Sequence, residues 1–580
     1  MFDRDSLSAR WTRAANRIAA RRAALRLAPT RLILRPEPRC IGSPERGAQI
    51  RDGRFIVAGH MVEASNTPIW DIAPADAAFA AEMHGFGWLD DLAALADRAA
   101  QERAQAWTWQ WIARCGAGGG PGWTPELTGR RLIRWIAHAD FLLRAQPEMA
   151  QRRYFRALAR QAVFLHRRWP AAAPGLPRFE AVSGLIHAGV ALEGMQGLLP
   201  PACTALSRDC DREIDEGGGI ASRNPEELLE IFALLTWAAQ ILGDAGHPVE
   251  DAHWRAVERI APTLRTLRHA DGGLARFHGG GRGLAGRLDG ALATSGVKAR
   301  RADGRAMGFV RLSAGRTSVI VDAAAPPRGA AAIHAHASTL AFELTSGRRP
   351  LIVGCGAGAR FRLEWRRAGR ATPSHSALVL DGGSSARLSL DPRHPDRLDD
   401  GPRNVFARVS KTARRLRFEG AHDGYLRAHG LTHMRSLDLS ADGRTLSGED
   451  AVLAVEEAAR RRFDRLRHGD HPRDVPFEIR FHLHPEVETD LAPGGSAVFV
   501  TLRSGEIWVF RGDGQTALAL HPSVYLEKTR LTPRASGQIV LSGRALDHAT
   551  RIRWSLAKAD ETPVGIRDVA EAVPEPATED

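Results

Sequence analysis

Two histidines separated by one residue, His334 and His336, are the side chains best placed for chemistry in this sequence. They open the stretch His334-Ala-His-Ala-Ser-Thr-Leu-Ala-Phe-Glu-Leu344, which we interpret as a strand. On a strand, residues i and i+2 face the same side, so both imidazoles would project together. Such a pair suits metal binding or proton transfer near neutral pH. The alternative for a His-x-His pair is an ordinary solvated polar face.

A second His-x-His pair, His482 and His484, follows the same spacing. It alternates with the apolar residues Phe477, Ile479, Phe481 and Leu483, as in a half-buried strand. We expect these two histidines to be structural or to lie at the surface. The chain also has three tyrosines, Tyr154, Tyr425 and Tyr525, of which Tyr425 follows the turn signal Asp423-Gly424.

The segment Ser222-Arg-Asn-Pro-Glu-Glu227 has the residue order of a helix start. Asn224 fits the N-cap position, Pro225 the first helical position and Glu227 the third, as in a capping box. The same segment places Arg223 just before the helix. A guanidinium there could hold a carboxylate in a bidentate pair.

The charge balance of the 580 residues is 80 Lys and Arg against 67 Asp and Glu, a formal net charge of +13. Most of the cations are Arg, which suits a polyanionic partner such as an acidic glycan, a nucleic acid or an anionic membrane. An Arg- and Ala-rich composition without any such partner is the alternative. No zinc-finger or RNA-binding signature accompanies the charge, so we expect no nucleic acid partner.

The N-terminal segment, residues 1–50, is basic and lacks the continuous apolar core of a secretory signal. Trp11, Ile18 and Leu25 recur every seven residues, which predicts a helix with one apolar face. That face could dock on the protein, which we favour, or lie on a membrane surface. No apolar stretch is long enough for a transmembrane helix, and the five scattered cysteines indicate free thiols. We therefore expect a cytoplasmic protein.

Hydrophobic spacing divides the rest of the chain into two parts. Residues 51–300 show the 3- and 4-residue spacing of amphipathic helices with short Gly- and Pro-bearing connections, which predicts packed helical hairpins. His278-Gly-Gly-Gly-Arg-Gly283 is expected to be a linker or loop. Residues 305–558 show period-two runs and Asp-Gly turn signals, which predict a β-sandwich. The tail, residues 559–580, is acidic and expected to be disordered.

Several segments, in order, resemble the heparinase II/III family. They are Ala332–Gly354 with its His-x-His start, His375-Ser-Ala-Leu-Val-Leu-Asp381, His422-Asp-Gly-Tyr425, His433–Asp450, Trp123–Arg131 and Ser222–Glu226. The resemblance implies an α+β multidomain protein, with an N-terminal incomplete (α/α) toroid and a C-terminal antiparallel β-sandwich. It also implies cleavage of uronic-acid polysaccharides by β-elimination. That reaction removes the proton beside a carboxylate and stabilises the charge that develops.

The resemblance also implies roles for individual residues. His334 and Tyr425 are the catalytic candidates, with packing as the alternative for Tyr425. Arg223 and Asn224 are the candidates for holding substrate.

The family's metal-binding histidines match His336 and His375. Gly354 stands where the family has an acidic metal ligand. Because structural zinc sites almost always have four ligands, we expect no cofactor here, with zinc as the alternative.

Two functions follow as hypotheses. The first is a lyase-like enzyme that cleaves an acidic glycan. The second, the alternative, is a catalytically degenerate protein of the same fold that binds such a glycan. The persistence of the two cleft histidines favours the first, whereas Glu227, which stands where the family's catalytic tyrosine is expected, favours the second. A glycoside hydrolase would need two carboxylates flanking the bond, and no convincing pair is present. The family also implies the periplasm or cell envelope as the alternative location.

Overall fold

The computed structural model describes residues 7–23, 31–40, 42–65, 67–298, 304–358, 361, 363–391, 394, 396–468, 472–528 and 530–559. The acidic tail predicted to be disordered lies outside these residues, apart from Ala559. The described chain forms two compact units. The helical unit comprises the described residues of Met1–Ile220, Glu226–Leu264 and Leu284–Arg301. The sandwich unit comprises those of Ala221–Pro225, Arg265–Gly283 and Ala302–Asp580.

The unit boundaries differ from the predicted division at residues 51–300 and 305–558. The short segments 221–225 and 265–283 fall in the predicted helical range, yet they belong to the sandwich unit. Charged side chains explain the difference, since Arg223 and His278 both approach the buried carboxylate of Asp322. Hydrophobic periodicity cannot reveal an ion pair between residues that are far apart in sequence.

Helices dominate the first part of the chain. They are α1 (Leu7–Ala23), α2 (Pro44–Arg51), α3 (Ala77–Gly85), α4 (Gly87–Ala94), α5 (Arg98–Cys115), α6 (Pro125–Ala137), α7 (Ala139–Leu143), α8 (Glu148–Arg168), α9 (Leu176–Ala191), α10 (Leu199–Glu213), α11 (Pro225–Asp244), α12 (Asp251–Leu267) and α13 (Arg287–Thr294). A short hairpin of β1 (Arg54–Val57) and β2 (His60–Glu63) lies among them. Successive helical hairpins form the predicted incomplete (α/α) toroid. The start of α11 at Pro225 confirms the predicted helix start.

Helices α6 and α9 pack with almost no space between their backbones. A Cβ atom at Gly129 would lie 2.1 Å from the Glu180 carbonyl oxygen, and one at Gly184 would lie 2.5 Å from the Gly129 Cα. Only glycine permits this approach. Beside it, the buried Arg131 donates to Gln161 and to the His84 and Gly122 carbonyls, so neutral acceptors inside the helical unit satisfy its N–H donors.

Helix α1 docks on α8 through one face. Asn16, Ala19, Ala20 and Ala23 are buried, and Asn16 accepts a hydrogen bond from Arg168. The predicted apolar residues Trp11 and Ile18 are not on that face, since they are 76% and 52% exposed. The helix therefore docks through small residues. Within the described residues, no helix is both long and apolar enough to span a membrane.

The sandwich unit is built from antiparallel strands. They are β3 (Arg305–Ala306), β4 (Phe309–Ala314), β5 (Thr317–Asp322), β6 (Phe342–Ser346), β7 (Arg349–Val353), β8 (Leu378–Leu380), β9 (Arg387–Leu388), β10 (Leu398–Asp400), β11 (Val405–Lys411), β12 (Arg415–His422), β13 (Thr432–Ser440), β14 (Thr445–Leu453), β15 (Pro476–Leu483), β16 (Glu488–Leu491), β17 (Val498–Thr501), β18 (Ile507–Gly512), β19 (Ala517–Tyr525), β20 (Arg534–Arg544) and β21 (Ala549–Lys558). Three short helices, α14 (Leu363–Ala368), α15 (Leu426–His429) and α16 (Glu457–His468), connect them.

Among the described residues these strands form two large sheets and a separate pair, β9 with β10. One has the order β11-β12-β13-β14-β21-β18-β17-β16, and the other β19-β20-β15-β7-β6-β5-β4-β3 with β8 beside β15. Aromatic side chains from both sheets fill the space between them. Phe342 of one sheet stacks on Trp554 of the other at 5.9 Å, and Phe481 meets Trp554 at 4.8 Å. The predicted β-sandwich is confirmed.

A buried ion pair joins β13 and β14, two neighbouring strands of one sheet. Arg435 and Asp450, both fully buried, pair through two hydrogen bonds of 2.8 and 3.1 Å. The remaining donors of Arg435 reach the Leu340 and Ser376 carbonyls, which belong to the other side of the sandwich. The bidentate geometry satisfies both charges where water is absent.

The predicted strand from His334 to Leu344 is wrong over its first half. Gly329–His334 forms a 3₁₀ helix, a turn follows, and β6 begins only at Phe342. His334 and His336 therefore do not face the same side, since His334 is exposed and His336 is fully buried. His482 and His484 are buried and do not lie at the surface. Of the two roles expected for that pair, the structural one therefore agrees with the fold.

Candidate functional site: an exposed histidine above a buried charge cluster

His334 ends the 3₁₀ helix with its side chain exposed to solvent. Although exposed, it is partly desolvated by surrounding protein atoms. This desolvation and then the charges of Arg366, Arg370 and Lys528 lower the pKa of His334 to about 4. The imidazole is therefore neutral at pH 7 and lies in a positive environment. Such an environment suits a ligand that carries negative charge.

The backbone around His334 is held mainly by Arg370, a residue that the sequence interpretation missed. Its buried guanidinium donates to the Ala332 carbonyl at 3.0 Å and to the Ala335 carbonyl at 2.8 Å. Its own carbonyl accepts from the Ala337 N–H, and the Thr372 hydroxyl donates to the Ala337 carbonyl. These bonds fix the carbonyls on both sides of His334, so the exposed imidazole stands on a fixed backbone.

Asp322 is the buried carboxylate beneath this segment. It ends β5, and its oxygens accept from Arg223 and from the Ser338 hydroxyl, the latter at 2.7 Å. His278 Nε2 lies 3.3 Å from the second oxygen, an ion-pair distance without the alignment of a good hydrogen bond. Burial alone would raise the pKa of Asp322, but Arg223 and then His278 hold it well below its usual range. The carboxylate thus stays charged inside the protein.

Arg223 is bound to the protein rather than directed at a substrate. Besides Asp322, its guanidinium donates to the carbonyls of Met307, Gly308 and Ala325, and it lies over the Phe309 ring at 4.7 Å. These acceptors engage all three of its nitrogens. These contacts give Arg223 a structural role, and its role in holding a substrate carboxylate stays a prediction.

Asn224 lies beside the glycines that face His334. A Cβ atom at Gly280 would lie 2.6 Å from Asn224 Oδ1, and one at Gly279 would lie 2.9 Å from the His334 Cβ. Gly279 also has a φ of +88°, which favours glycine. The glycine run, which we expected to be a linker or a loop, is thus a loop packed against the site. The role of Asn224 in holding substrate stays a prediction.

His336 and His375, the predicted metal ligands, are brought together. Their ring centroids are 5.0 Å apart, and both residues are buried. His336 Nε2 accepts from the Gly279 N–H at 2.9 Å. Three nitrogens, His336 Nδ1 and both nitrogens of His375, are buried and have no hydrogen-bond partner among the described residues.

The residues around this pair do not fit a metal. Gly354 does face the pair, because a Cβ there would lie 3.3 Å from His375 Nδ1, but it offers no ligand. Within the part of the chain that the structure describes, no group of three or more His, Cys, Asp or Glu side chains could hold an ion. Two imidazoles are fewer than the three protein ligands of even a catalytic zinc site. No step of the chemistry is therefore assigned to a metal.

All three tyrosines are buried with their hydroxyls bonded inside the protein. Tyr154 donates to the Trp135 carbonyl, and Tyr425 donates to the Leu378 carbonyl at 2.8 Å. Tyr525 is bonded to Arg276. Desolvation by burial raises the pKa of Tyr425 above its ordinary value, which further disfavours an ionised phenol. The geometry favours the packing role for Tyr425, and its catalytic role stays an untested prediction.

A helical toroid and a two-sheet sandwich that carries an exposed histidine define a fold of the polysaccharide-lyase type. Residues 296–555 match the family model described as Heparinase II/III-like, C-terminal. FtsZ-localized protein C of Caulobacter vibrioides (strain NA1000 / CB15N) is 31% identical over 553 residues, with coverage of 92% of this chain and 91% of that protein. The chain belongs to the heparinase II/III family.

Solved structures show the same fold at low sequence identity. Heparinase III matches with a TM-score of 0.66 at 13% identity, over 94% of this chain and 89% of that chain. Heparan sulfate lyase HepC from Pedobacter heparinus matches with a TM-score of 0.56 at 14% identity, over 95% and 88%. Family and fold are those of polysaccharide lyases.

Replacing Asp322 by Asn tests the buried charge cluster. The variant leaves Arg223 without its anion, so we expect the free energy of unfolding at pH 7 to fall by about 3–5 kcal/mol. The folded carboxyl has a lowered pKa, so its stabilisation is complete above the ordinary carboxyl pKa of about 4 and is lost as the pH falls further. The difference between wild type and variant should therefore shrink only below about pH 4.

Denaturant unfolding between pH 3 and pH 8 measures this difference. Asp400→Asn is the matched control, because Asp400 forms a 3.6 Å pair with the exposed Arg427 and is itself 52% exposed. It should change stability by less than about 1 kcal/mol. Equal effects of the two substitutions would contradict the role given to Asp322.

Proposed function

We propose that this chain binds an acidic glycan on the sandwich surface around His334 and cleaves it poorly or not at all. The observation that carries the proposal is an exposed, neutral imidazole among Arg366, Arg370 and Lys528. In an acidic polysaccharide, the anions that such a surface would bind are the uronic-acid carboxylates. Arg366 and Lys528 are half-buried at this surface, where Arg366 also lies 3.5 Å from the Asp396 carboxylate, whereas Arg370 is committed to backbone carbonyls.

Poor cleavage is expected from the groups that β-elimination needs. A base must remove the proton beside the carboxylate, and an acid must protonate the leaving oxygen. His334 with a pKa of about 4 is a weak base, and its neutral ring, which keeps one N–H, is a poor acid at pH 7. The tyrosines, which could otherwise serve, are buried and bonded elsewhere.

Lyase activity is the second candidate, supported by the fold. A substrate carboxylate beside His334 would offset the cations that lower its pKa and would bring the imidazole closer to a working acid or base. The two candidates differ in product. β-Elimination leaves an unsaturated end that absorbs ultraviolet light, whereas binding alone leaves the polymer intact.

A panel of uronic-acid polymers distinguishes them. We expect binding that weakens with salt, because screening reduces attraction between exposed charges, and no gain in absorbance. Lys528→Gln and Arg366→Gln should each weaken binding about fivefold, a loss of about 1 kcal/mol. Lys411→Gln on the exposed edge strand β11 is the matched control and should bind normally.

Two results would count against the proposal. Absorbance that rises with time and is lost in His334→Ala would make the chain a lyase. If the chain binds none of the polymers at low salt, an acidic glycan is excluded as its ligand.

We further propose that the chain localises with FtsZ in the cytoplasm. The relative named FtsZ-localized protein C supports this through similarity along nearly the whole of both chains. The proposal agrees with the free state of all five cysteines, since thiols persist in a reducing compartment.

A fluorescent fusion expressed with labelled FtsZ should concentrate where FtsZ does. A fusion that stays evenly spread while FtsZ assembles would overturn the proposal.

We also propose that α1 contacts an anionic membrane surface. Its exposed side carries Trp11 and Ile18 together with Arg10, Arg17 and Arg21, while its opposite side docks on α8. Aromatic and aliphatic side chains flanked by Arg suit the headgroup region of a bilayer that carries negative charge. The docked helix therefore keeps a surface available for lipid.

Vesicle sedimentation tests the contact. The wild-type chain should bind vesicles of phosphatidylglycerol and phosphatidylcholine, and bind phosphatidylcholine alone far less. Replacing Trp11 and Ile18 by Gln should weaken binding at least about tenfold, because the apolar anchor is removed. Met149→Gln, an equally exposed apolar residue on α8, is the control. If the double variant and the control bind alike, α1 is not the contact.

A further inference from the structure

Two histidines cross-link the glycine loop and the His334 segment in opposite directions. His278 Nδ1 accepts from the backbone N–H of His336 at 3.1 Å. His336 Nε2 accepts from the backbone N–H of Gly279 at 2.9 Å. Each imidazole thus accepts a hydrogen bond from a backbone N–H of the opposite segment. The centroids of the two rings lie 5.9 Å apart. We name this reciprocal pair of bonds the histidine clasp.

The acceptor roles determine where each ring carries its proton. A neutral imidazole has one N–H and one bare nitrogen. Since His278 accepts with Nδ1, its proton is on Nε2, which lies 3.3 Å from the Asp322 carboxylate. Since His336 accepts with Nε2, its proton is on Nδ1. The carboxylate therefore favours the tautomer of His278 that the clasp needs.

The clasp lies directly against the candidate site. Gly279 donates one of its bonds, and a Cβ atom at that glycine would lie 2.9 Å from the His334 Cβ. His336 donates the other bond and follows His334 by two residues. Loss of either bond would free the loop that supports His334 from one side, while Arg370 still holds the other.

We propose that His278 and His336 act as a metal-free clasp that positions His334, in place of the metal centre that the family resemblance implies. The role given to His334 rests on the proposed glycan binding. Metal binding and the clasp compete for His336. Its bare nitrogen is occupied by the Gly279 N–H, and the nitrogen that faces no partner carries the proton. Gly354 supplies no carboxylate that could draw a metal there against this bond.

Crossed amide substitutions test the clasp atom by atom. The Oδ1 of Asn is as many bonds from the backbone as histidine Nδ1, and the Oε1 of Gln is as many bonds as Nε2. The clasp therefore predicts that His278→Asn and His336→Gln keep their bonds, whereas His278→Gln and His336→Asn lose them. The same pair of substitutions at the exposed His521 is the control.

Hydrogen–deuterium exchange by mass spectrometry gives a readout that needs no glycan. In His336→Asn, peptides that cover residues 276–280 should exchange about tenfold faster than in wild type, as expected for loss of one hydrogen bond. In His336→Gln they should exchange as in wild type. Metal analysis of the wild-type chain, purified without chelator, should find no stoichiometric ion.

The outcomes separate the clasp from its alternatives. If the Asn and Gln variants at position 336 exchange alike, the clasp is wrong. A stoichiometric ion in wild type that both variants lose would restore the metal centre and overturn the proposal. Glycan affinity should follow the exchange data, falling in His336→Asn and not in His336→Gln. If exchange follows the prediction while wild type binds no glycan, the clasp stands and the proposed function fails.

Discussion

The carboxylate of Asp322 must stay ionised away from water, and the architecture of the site follows from that constraint. An isolated buried charge costs several kcal/mol, so it needs an opposite charge and further donors. Arg223 supplies the charge, and Ser338 and His278 supply polar hydrogens. These three come from segments far apart in sequence. The contact with the Asp322 carboxylate helps to hold each of these three side chains in place.

The constraint extends from charge to backbone. The Leu340 N–H donates to the Asp322 carbonyl, and the Asp322 N–H donates to the Ala341 carbonyl, so the turn before β6 is fixed to the end of β5. His278, in contact with the same carboxylate, receives the His336 N–H. The backbone of Asp322 and, through Ser338, its carboxylate hold the turn that follows His336, and the carboxylate also contacts His278 of the loop that faces His334. The exposed histidine is fixed although its own ring makes no hydrogen bond to the described residues.

Regular elements could be predicted from the sequence because they depend on local spacing. The alternation of Phe477–Leu483 gives β15, the run Ser318–Asp322 gives most of β5, and the capping residues before Pro225 give the start of α11. The turn at 334–341 could not be predicted, since it is held by Arg370 and Asp322 rather than by its own residue pattern. The residues His278–Gly283 have the composition of a linker, and only the partner that they face makes them part of the site.

Only part of the chain's positive charge can attract a partner, because several of its arginines are buried. Arg131, Arg223, Arg370 and Arg435 are buried and bonded to carbonyls or carboxylates, so they stabilise the two units and do not attract a partner. A polyanion can be recognised only by the exposed or half-buried cations, such as Arg366 and Lys528 beside His334 or the arginines of α1. These two sets lie in different units and suit different anions. Glycan binding would therefore depend on the first set alone and membrane contact on the second, so loss of one set would leave the other interaction unchanged.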